Sequence, residues 1–180
     1  MKDTLQDIVK HTHSLGFIDL VKIVGDDSKT EMEAMAEDRS VVVKSELKKS
    51  VAEFTGTFGM PNLSKLDILL KLPVYKDNAE ITVNKQERNG ATVPVGLHFE
   101  NDNKDFKNDY RFMNAEIVNE KLKSVKFRGV NWHVTIKPTM PDVQRLNFQA
   151  QANAEENVFT VSTDGDALKF KFGDASSHAG

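Results

Sequence analysis

Residues 60–83 read MPNLSKLDILLKLPVYKDNAEITV, and the interpretation of the whole chain depends on them. Their pattern predicts a helix start, a short amphipathic helix, a break at Pro73 and then a strand. The opening letters return 80 residues later as MPDVQRL, residues 140–146, and strand-like runs at 51–59 and 130–137 precede the two copies. A repeat of this kind indicates one strand–helix–strand unit used more than once. The alternative is two ordinary helices that match by chance.

Both copies carry the signals of a helix start. Asn62 and Asp142 have side-chain oxygens that can accept from first-turn amides, which predicts that they are the N-caps. A proline before each of them restricts the backbone at the helix entry. The predicted apolar faces consist of Leu63, Leu66 and Leu70 in the first copy and of Val143, Leu146 and Ala150 in the second. The base at the matching position off this face is Lys65 in one copy and Arg145 in the other.

The composition is that of a soluble globular protein with one large or two small domains. The chain has 180 residues, of which 39% are hydrophobic and 28% are charged. Its net charge of −3 gives no overall attraction to nucleic acid, so a polyanion site requires cations sorted onto one face. The absence of cysteine excludes disulfides and thiolate metal sites. No apolar run has the length of a membrane span, and the N-terminus lacks a signal-peptide core, so we expect a cytoplasmic protein without a membrane partner.

Elsewhere the chain predicts helices, strands and turns in alternation. Helices are expected at 2–15, 62–71 and 139–153, three in all. The first has a buried stripe made of Leu5, Ile8, Val9, Thr12 and Leu15. Its other face carries Lys2, Gln6, Lys10 and His13 with no acid among them, and on this helix alone we interpret it as a solvated face. Strands are expected at 17–24, 29–36, 39–44, 50–59, 78–83, 93–100, 157–163 and 167–172, with a turn at 85–90 and a surface loop at 101–109.

Within the strand at 29–36, alternation places Met32 and Ala34 on one side, with Ala36 just beyond it. Glu31, Glu33 and Glu37 fall on the other side, which predicts an acidic face directed away from any DNA.

Residues 121–137 form a basic segment, KLKSVKFRGVNWHVTIK, with five bases, one histidine and no acid. Alternation on both sides of Gly129 predicts two strands that meet at a turn or bulge. We expect Trp132 in the core and a basic face that includes Lys126, Arg128 and Lys137. The segment also marks the expected boundary between a first domain at 1–125 and a second at 126–180.

Motifs for catalysis are absent from the sequence. It contains no phosphate-cradling glycine loop, no His-Glu-x-x-His and no Gly-x-Ser-x-Gly. The five histidines lack the spacing of metal ligands, and the Gly-Asp-Asp-Ser run at 25–28 is interpreted as a turn and not as a polymerase metal site. We therefore expect no metal, no cofactor and no enzyme activity.

Three stretches resemble the sliding-clamp subunit of the DNA polymerase of T-even-like bacteriophages, with the marine and cyanophage branch most similar. They are Phe58–Leu66 (FGMPNLSKL), Asp105–Phe112 (DFKNDYRF) and Phe172–Ser176 (FGDAS). The resemblance implies an α+β, DNA-clamp-like fold of repeated strand–helix–strands units, with antiparallel sheets outside and helices lining one face. Members of that family have a further C-terminal unit, which this chain is expected to lack.

The resemblance also implies a function. Three identical subunits would form a ring around duplex DNA, loaded by a clamp-loader ATPase, that tethers the replicative polymerase and supports late transcription. The helices would turn the following side chains towards the phosphates: Lys2, Lys10, His13, Lys65, Lys71, Arg145 and Gln149. Encirclement makes tight or sequence-specific contacts unnecessary.

Two other functions remain open at this point. One is a monomeric β-rich module that binds nucleic acid or protein through the basic segment 121–137. The other is a structural phage protein, such as a part of the tail or baseplate. Matched bases on repeated helices favour the clamp, whereas a basic surface confined to 121–137 would favour the module.

Overall fold

The computed structural model describes residues 1–75, 79–88, 90–123, 129, 131–165 and 167–173. These residues form a mixed α+β protein whose sheets are antiparallel. Four α-helices lie in the described part of the chain: α1 (Lys2–His11), α2 (Leu63–Lys71), α3 (Ala115–Lys121) and α4 (Met140–Ala152). The strands are β1 (Leu20–Gly25), β2 (Thr30–Met35), β3 (Val42–Glu46), β4 (Gly56–Pro61), β5 (Glu80–Arg88), β6 (Ala91–Glu100), β7 (Lys107–Arg111), β8 (Phe159–Thr163) and β9 (Leu168–Phe172). Among these helices none is long and apolar enough to cross a bilayer.

The chain divides into two compact units, Met1–Phe127 and Arg128–Gly180. Unit 1 contains a sheet of order β3-β2-β1-β4 and a sheet of order β5-β6-β7. Beyond β7 the chain leaves the second sheet and reaches the edge of the first, where Met113 forms an antiparallel bridge with Gly59 of β4. The Met113 amide donates to the Gly59 carbonyl at 2.8 Å, and the Gly59 amide donates back at 2.9 Å. One segment therefore connects both sheets of unit 1.

The core of unit 1 is one apolar cluster that α1 and α2 share with both sheets. The helices contribute Leu5, Ile8, Val9, Leu63, Leu66, Leu69 and Leu70, all of them buried. Their spacing confirms the apolar faces predicted for both helices, with the exception of Leu15, which is exposed because α1 ends at His11. Rings of Phe58 and Phe112 stack at 4.4 Å where β4 meets the segment after β7. Met32, Ala34 and Ala36 are buried, as the alternation of β2 predicted.

The two copies of the Met-Pro motif begin their helices differently. Asn62 is the N-cap of α2, as predicted: its Oδ1 accepts from the Lys65 amide at 3.3 Å. The prediction for Asp142 is wrong, because α4 begins earlier and its N-cap is Thr139. Asp142 is the third helical residue and closes a capping box, accepting from the Thr139 amide at 3.0 Å. Met60 and Pro61 thus end a strand, whereas the second Met-Pro pair lies inside a helix.

Several predicted boundaries also need correction. The count of three helices is wrong, since α3 lies at Ala115–Lys121, where no helix was expected. The turn expected at 85–90 is shorter than predicted, because β5 continues to Arg88, while Gly90 lies in a turn. The loop expected at 101–109 ends where β7 begins at Lys107. The other strands of unit 1 occur near their predicted places with shifted ends.

Unit 2 contains α4 and the β8–β9 hairpin, and the hairpin was predicted correctly. Its cross-strand pairs place Phe159 beside Phe172, with ring centroids 5.8 Å apart. None of the residues of α4 is buried. The strand expected at 130–137 is wrong for the described residues 131–137, which form no strand, and Trp132 is 72% exposed instead of lying in the core.

Candidate nucleic-acid interface

Five of the candidate side chains lie on one packed helix pair in unit 1. Lys2 and Lys10 belong to α1, Lys65 and Lys71 belong to α2, and His13 lies in the 3-10 turn that follows α1. Because α1 and α2 pack on the same core cluster, they form one helix layer, and the candidates belong to residues of this layer outside the cluster. The structure therefore brings together the candidates that the sequence placed 50 to 70 residues apart.

Three of the four amines on this helix layer are held by other groups of the protein. Lys2 Nζ donates to the Tyr75 carbonyl. Lys65 Nζ donates to the Asp109 carbonyl of β7 at 2.8 Å. Lys71 Nζ forms an ion pair with Asp67 at 2.6 Å.

Lys10 is exposed and, among the described residues, makes no side-chain hydrogen bond or ion pair. It is therefore the amine of the helix layer that is most available to a ligand.

The charge of the helix pair is only weakly positive. The two helices carry four lysines and three aspartates, which gives a net charge of +1 with histidine neutral. Two of the aspartates are placed close to bases: Asp67 pairs with Lys71, and Asp7 lies 3.3 Å from the His11 imidazole. A polyanion would be attracted to this surface without being gripped by it.

Unit 2 gathers three further candidates around one surface cavity of about 830 Å³. Lys137, Arg145 and Gln149 all line it. Arg145 is ion-paired with Asp142 at 2.6 Å, so its charge is partly compensated. The apolar lining of the cavity includes Ile136, Val143, Leu146, Leu168, Phe170 and Phe172. The remaining candidates, Lys126 and Arg128, lie outside the described residues.

The face opposite the buried side of β2 differs from the prediction. Glu33 is paired with Lys22 and with Lys44, each at 3.0 Å, because strand register places these lysines directly beside it. Burial disfavours the charged carboxylate, yet the two lysines outweigh it and lower the pKa of Glu33. Glu31 is likewise paired with Lys29 at 2.9 Å. The Glu33 rung is therefore charge-paired and not part of the purely acidic surface that the sequence of β2 predicted, whereas Glu31 lies opposite Glu46 of β3.

Sequence reasoning missed a second cavity, which lies in unit 1 and has a volume of about 670 Å³. Side chains of β5, β6 and the segment 109–117 line it, including Arg88, Arg111 and Asn114. Its walls come from parts of the chain that no local pattern connects. The only local signal for this cavity was a cation at the end of each of two strands, Arg88 in β5 and Arg111 in β7.

The Gly-Asp-Asp-Ser run forms a turn, as predicted. Asp26 Oδ1 accepts from the Ser28 amide at 2.8 Å, from the Ser28 hydroxyl at 2.6 Å and from the Lys29 amide at 2.9 Å. These bonds, the Ser28 hydroxyl first, lower the pKa of Asp26 to about 2. The carboxylate thus has a structural role in closing the turn. In the described part of the chain, no group of three or more His, Asp or Glu residues is placed to hold a metal ion.

Chemically, the helix layer offers amines for sequence-independent contacts to phosphate. The surface is weakly charged, which suits transient contact. Compared with known protein families and with curated proteins, the chain matches none.

Proposed function

We propose that the chain is a DNA sliding clamp, the processivity factor that encircles duplex DNA and tethers the replicative polymerase. The observation that carries the proposal is the helix layer: four lysines lie on one helix pair with a net positive charge, in a chain of net charge −3. Antiparallel sheets support this layer from the core side, which is the arrangement that the clamp resemblance implies.

The weak charge of the helix layer fits a clamp that must move. Holding by encirclement does not require tight binding, and each phosphate contact should break easily as the ring slides. Lys65 and Lys71 already share their amines with protein acceptors, so each can give only part of its hydrogen-bonding capacity to DNA. Lys10 is then the strongest single contact in unit 1.

In the proposed assembly, three copies of the chain form a closed ring with the repeated strand–helix units arranged around it. Residues 1–125 and 126–180 correspond to the first clamp domain and to the start of the second. Arg145 and Gln149, which line one cavity in unit 2, supply the second set of DNA contacts. The partners are duplex DNA of any sequence, the replicative polymerase and an ATP-driven loader, in the cytoplasm of an infected bacterium, with a further role in late transcription.

Encirclement is tested by topology. The protein is loaded onto a nicked circular DNA by a clamp loader of the resembled phage group, and half of the sample is then linearised. A sliding clamp stays on the circle and leaves the linear DNA by its ends. Equal retention on both would refute encirclement.

The DNA-facing assignment is tested by charge reversal. Lys10→Glu with Lys65→Glu should lower the slope of log affinity against log salt concentration by about 2, since two phosphate contacts are lost. The control is Lys85→Glu, a charge reversal at an exposed lysine of β5. Lys65→Glu with Arg145→Glu should likewise reduce processivity without loss of folding. Unfolding of either double variant, measured by circular dichroism, would show that these side chains are structural instead.

A second candidate is a monomeric nucleic-acid-binding module, favoured by the 72% exposure of Trp132. An exposed indole in a segment that also contains the base Lys137 is suited to stacking on single-stranded bases. The two functions predict different molecular masses in solution. Light scattering should give a trimer for the clamp and a monomer at every concentration for the module.

A further inference from the structure

His98 lies on β6 between two carboxylates of the second sheet of unit 1. Its Nδ1 is 2.9 Å from Asp109 Oδ1, directly across the β6–β7 pair, and its Nε2 is 3.5 Å from Glu100 Oε2. Glu100 is in turn paired with Lys107 at 3.0 Å, which is its own cross-strand partner. Two rungs on one face of the β6–β7 ladder, separated by the Phe99–Asn108 pair, are therefore ionic, and His98 connects them.

The strand that this cluster holds, β7, has several connections. It is the edge strand of its sheet, hydrogen-bonded along its length to β6. The Asp109 carbonyl accepts from Lys65 of α2, and the Tyr110 hydroxyl donates to the Pro61 carbonyl at the end of β4. Two residues after β7, Met113 forms the bridge to Gly59. A loosening of β7 would thus reach α2 and the first sheet.

Only a protonated imidazole can donate from both of its nitrogens at once. The charged form of His98 donates to Asp109 and Glu100 together. The neutral form keeps one N–H, which can still donate to Asp109 from Nδ1, but it loses the positive charge that attracts both carboxylates. Glu100 would retain Lys107 at 3.0 Å and Lys104 at 3.9 Å, but no other cation in the described residues pairs with the Asp109 carboxylate. From β5, Thr82 lies opposite His98, and Glu80 lies opposite Glu100. Of these two β5 residues, Glu80 adds negative charge, and neither is a base.

The hydrogen bond to Asp109 raises the pKa of His98 above its ordinary value of 6.5, with burial opposing and Glu100 adding to the rise. A raised pKa in the folded state means that the contribution is complete below pH 6.5 and is lost as the pH rises through the folded-state value.

We propose that His98 is a proton-operated latch. Its charged form fixes β7 against β6 and thereby keeps in place the Asp109 carbonyl to which Lys65 of α2 donates. The latch is a property of unit 1 and does not depend on whether the helix layer meets DNA.

The latch is tested by amide hydrogen exchange at pH 5.5 and at pH 8.5, corrected for intrinsic rates. Protection of the amides of residues 107–111 should fall about two- to fivefold at the higher pH, the range of a partly exposed ion pair. Amides of α1 should not change. The variant His98→Gln should abolish the pH dependence, whereas His133→Gln, at an exposed histidine of unit 2, should preserve it. Constant protection in the wild type, or unchanged pH dependence in His98→Gln, would overturn the proposal.

The proposed link between His98 and Lys65 is tested separately, by the mobility of the Lys65 side chain. With the lysine Cε groups labelled, NMR relaxation should show Lys65 becoming more mobile at pH 8.5 in the wild type and equally mobile at both pH values in His98→Gln. The exposed Lys85 provides the reference. The imidazole titration of His98 should have its midpoint above 6.5, and Asp109→Asn should lower it. A rigid Lys65 at both pH values, or a midpoint insensitive to Asp109→Asn, would refute the latch.

Discussion

Helices α2 and α4 begin with closely similar sequences, and their surroundings are opposite. α2 buries Leu63, Leu66, Leu69 and Leu70 in the core of unit 1, while α4 buries none of its residues. In the described residues, unit 1 supplies sheets of four and three strands, whereas unit 2 supplies a two-stranded hairpin. An amphipathic helix therefore buries its apolar face only where enough sheet is available to pack against it.

The largest expected difference concerns the leucine that both motif copies share. Leu66 is fully buried, and its counterpart Leu146 is partly exposed. Leu66→Ala should lower the free energy of unfolding of unit 1 by about 3 kcal/mol, because it opens a cavity in a packed core. Leu146→Ala should lower that of unit 2 by less than about 1 kcal/mol. Urea unfolding followed by amide exchange measures both, and equal losses would mean that α4 is buried in solution.

Glycines extend the comparison to the backbone. A Cβ on Gly25 would lie 1.7 Å from the Phe54 carbonyl oxygen, so Gly25→Ala forces β1 away from its neighbour at a cost of about 2 kcal/mol. In unit 2, Gly165 has open space around it and a φ of +102°. Gly165→Ala should therefore cost only about 1 kcal/mol, through backbone strain alone. Thermal unfolding of the two variants gives the order, and a reversed order would contradict the packing described for β1.

The helix starts give a smaller effect. Asn62→Ala should destabilise α2 by about 1 kcal/mol, and Thr139→Ala should do the same for α4, since each removes a side-chain cap. Amide exchange in the first turn of each helix measures the loss. A larger effect of Asp142→Ala than of Thr139→Ala would show that Asp142 is the N-cap.

The smallest expected effect depends on pH and separates the two caps. Hydrogen bonds from Thr139 lower the pKa of Asp142 below its ordinary value of 3.8. A lowered pKa means that the stabilisation is present above pH 3.8 and is lost as the pH falls through the folded-state value. The first turn of α4 should therefore fray as the pH falls below 3.8, while the Lys65 amide of α2, which donates to the uncharged Asn62, should respond less. The Ser64 amide of the same turn donates to Asp19 Oδ1 at 3.4 Å and is not used as a reference. Chemical shifts of residues 140–143 and 63–66 between pH 7 and pH 2.5 provide the measurement.

Local patterns predicted the features that depend on neighbouring residues along the chain. The alternation of β2, the Asn62 cap and the β8–β9 hairpin all followed from adjacent side chains. The N-cap of α4 did not, because Thr139 and Asp142 each accept from the other's amide, and the sequence alone leaves their order ambiguous. The helix α3 was also missed, although Asn114 caps it and Val118 is its one buried residue.

The candidate site was predictable in its residues and not in their contacts. Helical spacing grouped Lys2 and Lys10 of α1, the repeated motif singled out Lys65, and Lys71 was implied by the family resemblance. The acceptor of Lys65 is 44 residues away along the chain, at Asp109, and the lysines beside Glu33 come from the strands on both sides of β2. Trp132 was assigned to the core because it alternates with apolar residues, and alternation does not show whether a second sheet is present to cover them.

The bridge between Met113 and Gly59 has a mechanical consequence. Because a side chain on Gly59 would come within 2.9 Å of Val118, the glycine allows α3 to lie close over the seam between the two sheets. Backbone hydrogen bonds therefore join the two sheets at this seam, and α3 covers it from one side. We expect the two sheets to move together when unit 1 is deformed. Pulled from its ends, unit 1 should rupture in one event, with no intermediate in which one sheet has opened and the other is intact.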